Sequence, residues 1–168
     1  MQNESLELLY NTYKIEGLKS IAQDEEYPVP LEKICSTLGI RTESLPISDD
    51  ISGRIYYLNN MYFIEANSTH APTRRRFTVA HELGHYCLHK EFLDNNGMIL
   101  ERSHSSLSII RDKEIEADTF AAELLMPKKH FAEKYGELKR IDALAEYFFV
   151  SIGATQTRLN VLSKNNMI

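Results

Sequence analysis

Within a stretch patterned as helix, His81-Glu82-Leu83-Gly84-His85 spell H-E-x-x-H. Residues four apart lie on one face of a helix, so the two imidazoles can share a single metal ion while Glu82 sits beside it. A catalytic Zn2+ takes three protein ligands and leaves a fourth position for water, so a further donor has to come from elsewhere in the chain.

Few residues can supply it. His89 continues the i, i+4, i+8 register, but on a continuous helix it stands about 12 Å of rise from His81, too far to bind the same ion. A metzincin arrangement needs a helix-breaking glycine and a more distant histidine, where this chain has Tyr86-Cys87-Leu88-His89. The string Glu114-Ile115-Glu116-Ala117-Asp118 fits better. Glu114 would ligate the ion, and Asp118, one turn on, would accept a hydrogen bond from the outer nitrogen of a ligating histidine. Glu116 is the weaker candidate, since it lies about 200° from Glu114 around a helix and should face away. In a centre of this kind Glu82 is the base that takes a proton from the attacking water and passes it to the leaving amine. His104 and Tyr86 have the chemistry to stabilise an oxyanion, without anything to choose between them.

Periodicity places these motifs. An amphipathic helix is expected from Ser5 to about Ala22, and a short helix from Pro30-Leu31 that stops at Gly39. RTESLPISDD reads as a polar loop. GRIYYL and MYFIEA flank Asn59-Asn60, a pair tolerant of positive φ, and read as an antiparallel hairpin whose Gly53–Leu58 strand is an exposed edge open to an extended substrate. The motif helix is expected from Arg74 to Lys90, then a long loop with a short strand near Met98 to Glu101. The second motif helix should run from Asp112 to Met126 with Ile115, Phe120, Ala121, Leu124 and Leu125 on or near one side. Two further helices follow, Glu137 to Phe149 and Ile152 to Ser163, the second capped by Ser151.

The bulk properties are those of one ordinary domain. The chain has 168 residues, 43% hydrophobic and 26% charged, with a net charge of −5. That charge argues against a surface dominated by nucleic-acid binding. No stretch is long and apolar enough to span a bilayer, and the start MQNESLELLYNTYK lacks a secretory signal pattern, so a cytoplasmic location and no membrane association are expected. Cys35 and Cys87 have no C-x-x-C spacing and read as free buried thiols. Arg74-Arg75-Arg76 point in three directions on a helix and read as solvated and ion-paired positions.

The strings RRRFTVAHELGHYCLH at Arg74 to His89 and EIEADTFAAELLMP at Glu114 to Pro127 resemble those of the ImmA/IrrE metallopeptidases of bacteria, phages and mobile elements. YPVPLEKICSTLGI and the hairpin resemble that family's N-terminal part. The resemblance carries over His81 and His85 as zinc ligands, Glu82 as catalytic base and Glu114 as third ligand, with Asp118 standing where members commonly have Asn or Asp. It implies an α+β fold: a gluzincin-like (zincin-like) core over 27–135, with a small antiparallel or mixed sheet beside the H-E-x-x-H helix. Added helices flank that core at both ends of a single domain, 1–168. It also implies a protein substrate, a helix-turn-helix repressor whose cleavage would derepress genes of a phage or mobile element.

A competing reading starts from 137–168, where Leu144 to Ser151 with Ala154, Arg158 and Leu159 have the look of a helix-turn-helix. The module would then be a non-catalytic, zinc-stabilised unit that binds DNA or docks on a repressor. Its basic residues Lys139, Arg140, Arg158 and Lys164 exceed Glu137, Asp142 and Glu146 by only +1, weak cover for phosphates, so direct nucleic-acid binding is not expected.

Overall fold

A computed structural model describes residues 14–18, 20, 27–96, 100–101 and 108–165. The element order is α1 (Leu31–Thr37), β1 (Ile40–Leu45), β2 (Gly53–Leu58), β3 (Met61–Asn67), α2 (Pro72–Asn96), β4 (Leu100–Glu101), α3 (Ser108–Leu125), α4 (Lys128–Leu138), α5 (Ile141–Phe148) and α6 (Ile152–Lys164). The fold is α+β. Residues 14–18 are helical and bury Ile15 and Leu18, while most of the helix expected from Ser5 to Ala22 lies outside the described residues.

The four strands form one mixed sheet in the order β1-β3-β2-β4. β2 and β3 are the expected antiparallel hairpin, with Ile55 opposite Ile64, and Asn59 and Asn60 take φ of 49° and 63° at its turn. These positive values match the twist of the flanking strands. Ile55, Ile64 and Tyr62 are buried on one face. On the other, Tyr56 stacks on Phe63 with ring centroids 5.2 Å apart, and Arg54 Nε donates to Glu65 at 2.7 Å.

Two expectations about the sheet are corrected. The supposed loop after Gly39 begins with β1, which pairs in parallel with β3 from Ile40 opposite Tyr62 to Leu45 opposite Asn67. Only Ile40 of this strand is fully buried, so an edge strand of this kind carries little apolar alternation for a sequence pattern to reveal. Nor is Gly53–Leu58 open along its whole length, because β4 pairs with its Arg54 and Ile55.

The helices show the same mixture. Gly39 ends α1 with φ +72°, and Ser151 Oγ accepts from Ala154 N at 3.1 Å to cap α6, both as expected. α2 runs past Lys90 to Asn96 and leaves helical geometry at His89 (φ −124°, ψ 21°). α3 starts four residues earlier than expected. A separate helix, α4, follows Pro127 where no helix was expected. Phe131 is its only fully buried residue, and it stops at Lys139, in left-handed geometry with φ 53°, so Glu137 belongs to α4 rather than to α5. Ile115 is exposed rather than inward.

α2 packs between the sheet and α3. Its central residues, Ala80 to His85, are all buried, so this helix is enclosed on every side although its sequence there is half polar. α4, α5 and α6 close the end of α3 through Phe131, Leu144, Phe148 and Leu162. Tyr27 ties the N-terminal part to this group, stacking on His130 at 4.2 Å between centroids and meeting Phe148 edge-on. Of the three arginines, Arg74 reaches Ser52 Oγ at 3.0 Å and Arg76 donates to Val29 O. Among the described residues no helix is long and apolar enough to cross a membrane.

Candidate metal centre

Gly84 lets the two motif helices meet. A Cβ built on it would lie 3.1 Å from Phe120 Cδ1 and 3.2 Å from Ala117 Cα, tighter than a side chain ordinarily accepts. Glycine therefore allows the α3 backbone at Ala117 to lie against α2 within the H-E-x-x-H turn. Glu114 and Asp118, one turn apart on α3 on either side of Ala117, are thereby delivered to the histidines of α2.

The resulting geometry is tight. His81 Nε2 and His85 Nε2 are 3.0 Å apart, and the Glu114 carboxylate lies 3.2 Å from the first and 3.1 Å from the second. Both imidazoles are almost completely buried, and Glu114 is partly so. An ion held at the usual 2.0–2.1 Å by tetrahedral donors separates them by about 3.3 Å, close to the spacing here. Glu114 Oε2 is buried without a hydrogen bond of normal geometry, which is the condition of an atom that needs a cation. Two imidazole nitrogens and a carboxylate oxygen suit Zn2+, so the residues present fit such an ion. Among the described residues these three form the one group of histidine, cysteine or acidic side chains placed to hold a metal.

The outer nitrogens are also engaged. His81 Nδ1 lies 2.8 Å from Asp118 Oδ1, so of the two histidines that Asp118 was expected to serve it meets His81. His85 Nδ1 instead meets His89 Nδ1 at 3.0 Å, and His89 Nε2 lies 2.6 Å from Glu116 Oε2. Glu116 was expected to face away; its side chain instead reaches the break in α2. His89 was weighed only as a ligand, and its engagement with both neighbours was missed. The signal for it was its position four residues past His85, in the same register as the motif.

Electrostatics follow burial and these contacts. Burial by itself would lower the pKa of His81, but the carboxylates of Asp118 and Glu114 and the charge of Glu82 outweigh it and raise it to about 9. His85 is held below the ordinary histidine range by burial. Burial would raise Glu114, but its contacts with both histidines hold it well below the usual carboxylate range. Glu82 is 1% exposed and its charge acts on His81, so it stands within the site.

Other residues singled out from the sequence lie apart. Tyr86 packs edge-on against Tyr62, 4.9 Å between centroids, beneath the Lys90 ammonium. His104 is outside the described residues. Cys35 is fully buried but Cys87 only partly; both are free thiols, and burial raises each to about 12.

The sequence profile of the IrrE N-terminal-like domain, peptidase M78, matches residues 35–160. The chain belongs to this family. It is also 34% identical over 96 residues to the uncharacterized immunity region protein 2 of Bacillus phage phi105, a match covering 56% of this chain and 57% of that protein. A Mycobacterium tuberculosis transcriptional regulator superposes with a TM-score of 0.64 at 18% identity, over 89% of this chain and 46% of the regulator, a likeness of fold. The chain thus spans about half the length of each of these two proteins. Membership in this peptidase family implies a metal, and His81, His85 and Glu114 are grouped where one would sit.

Proposed function

We propose that the chain is a zinc-dependent endopeptidase that hydrolyses a peptide bond in a partner protein. The observation that carries the reading is the convergence of His81, His85 and Glu114 within one buried cluster, with Glu82 enclosed beside it. A purely structural metal site has no use for a carboxylate held there. When bound, zinc supplies a polarised carbonyl and an acidified water.

The side chains divide the remaining work. His81, His85 and Glu114 hold the ion, and Asp118 orients His81 through Nδ1. Glu82 takes the proton from the attacking water and delivers it to the departing amide nitrogen as the C–N bond breaks. Its low exposure keeps bulk water away from that transfer.

The substrate we infer is a helix-turn-helix repressor, cleaved so that the genes of a phage or mobile element are expressed. Family membership and the likeness to a phage immunity region protein support that choice. The DNA-binding alternative loses ground, because Arg158 is buried, donating from Nε to Met126 O at 2.9 Å and pairing with Glu123, while Arg140 pairs with Asp142. Exposed Lys139 and Lys164 alone make a poor phosphate surface.

The test is Glu82→Gln in cells co-expressing a candidate helix-turn-helix repressor that the unmodified protein cleaves. Zinc content should match the unmodified protein while cleavage disappears. Cleavage at an unchanged rate would remove Glu82 as the base.

A further inference from the structure

The two histidines of the proposed centre are steadied from behind in different ways. Asp118 meets His81 directly, at 2.8 Å. His85 has a second imidazole behind it, His89, which is 4% exposed and has both ring nitrogens occupied, Nδ1 at 3.0 Å from His85 Nδ1 and Nε2 at 2.6 Å from Glu116 Oε2.

The contacts run in one line, Glu116 to His89 to His85. On the other side of its ring, His85 Nε2 lies 3.0 Å from His81 Nε2 and 3.1 Å from Glu114 Oε1, facing the proposed centre. A neutral imidazole that binds an ion through Nε2 carries its proton on Nδ1, and His89 Nδ1 stands within reach to accept it while Nε2–H of His89 donates to Glu116.

We propose that His89, held by Glu116, is a positioning residue that fixes the ring of His85 from behind and so presents its Nε2 to the metal. The proposal rests on the metal-centre reading above. It also accounts for the break in α2: the backbone departs from helical geometry at His89 itself, with neither proline nor glycine at that point, where the ring is bonded on both sides. His89 is thus a residue that acts through a ligand without being one.

The experiment compares His89→Phe, which fills the space without any polar atom, with His89→Gln, whose carboxamide can both accept from His85 and donate to Glu116. Two quantities are read: the hydrogen-bonded His85 Nδ1–H resonance of the zinc-loaded protein, by 1H–15N NMR of histidine-labelled samples, and zinc affinity, by chelator competition. His89→Phe should remove the hydrogen-bonded position of that resonance and weaken zinc by about 10–100-fold. His89→Gln should restore most of both.

An unchanged Nδ1–H resonance and unchanged affinity in His89→Phe would overturn the proposal. Should that variant not fold, Glu116→Ala, which removes a carboxylate 40% exposed at the far end of the chain, carries the same expectation and the same refutation. Wild-type protein that binds no zinc would overturn the metal-centre reading and this proposal with it, whereas zinc binding that His89→Phe leaves unchanged would overturn this proposal alone.

Discussion

The α2–α3 pair and the α4–α6 group are held together by different physics. In the first, an enclosed helix buries His81, Glu82, His85 and His89, and the contacts across to α3 are hydrogen bonds and facing charges. In the second, Phe131, Leu144, Phe148 and Leu162 are buried in ordinary apolar contact, with Phe131 stacked on Phe148 at 5.6 Å between centroids. Burying polar groups costs free energy unless each finds a partner, so a polar helix pair of this sort is sustained by a complete network and, on the proposed reading, by its cation. The second group rests mainly on apolar contact and needs no cation, its buried Arg158 being satisfied by Met126 O and Glu123. It supplies stability that leaves the polar pair free to be specialised.

Substitutions in each half sharpen that contrast. The largest effect is expected from Phe148→Ala, which should destabilise the fold by about 3–5 kcal/mol in denaturant titration while the protein that remains folded binds zinc as tightly as before. Loss of zinc affinity in proportion to lost stability would show that the two regions are not separable.

Next is Glu114→Ala. Removing a ligand should weaken zinc by more than the roughly 100-fold upper value for an outer contact, whereas Glu116→Ala should stay within that bound. Chelator competition on both variants decides the matter, and the reverse order would exchange their roles.

Gly84→Ala tests the close approach of the helices. Its Cβ meets Phe120 and the Ala117 backbone, so overpacking of about 1–3 kcal/mol is expected together with weaker zinc binding, because Glu114 rides on the displaced helix. A stability loss with intact affinity would show that α3 shifts without carrying Glu114 away.

The last expectation is a pH dependence, graded over each unit of pH. His81, raised to about 9 in the metal-free protein, must give up its proton to bind zinc, so affinity should climb by about tenfold per pH unit from pH 6.5 and level off near 9. The sign for stability is opposite: a proton held more tightly in the folded than the unfolded state stabilises below the unfolded value of 6.5, and that contribution is lost as pH rises towards 9. A flat affinity profile would mean that His81 is not protonated without metal.

Much of this architecture was legible because helix and hairpin patterns are local. The β2–β3 hairpin declared itself by two β-rich runs around Asn59-Asn60, and the caps at Gly39 and Ser151 by residue type. β1 was not legible, since its pairing partner β3 lies about twenty residues on and its own side chains are mostly exposed. α4 was missed because one buried phenylalanine is too little apolar face to reveal a helix. At the centre, the grouping of His81, His85 and Glu114 was foreseen, as was a contact of Asp118 with one of the two histidines, though not which one. The inward reach of Glu116 was not.

By itself, then, the sequence determined the pairing of His81 with His85 and of Glu114 with Asp118, because spacings of four on a helix follow from backbone geometry alone. Only the tertiary structure decided how those pairs meet: α3 crosses α2 at Gly84, where the missing Cβ permits contact, and α2 breaks at His89, where Glu116 can be reached. Both depend on packing between segments distant in sequence, and no local periodicity encodes where two helices cross.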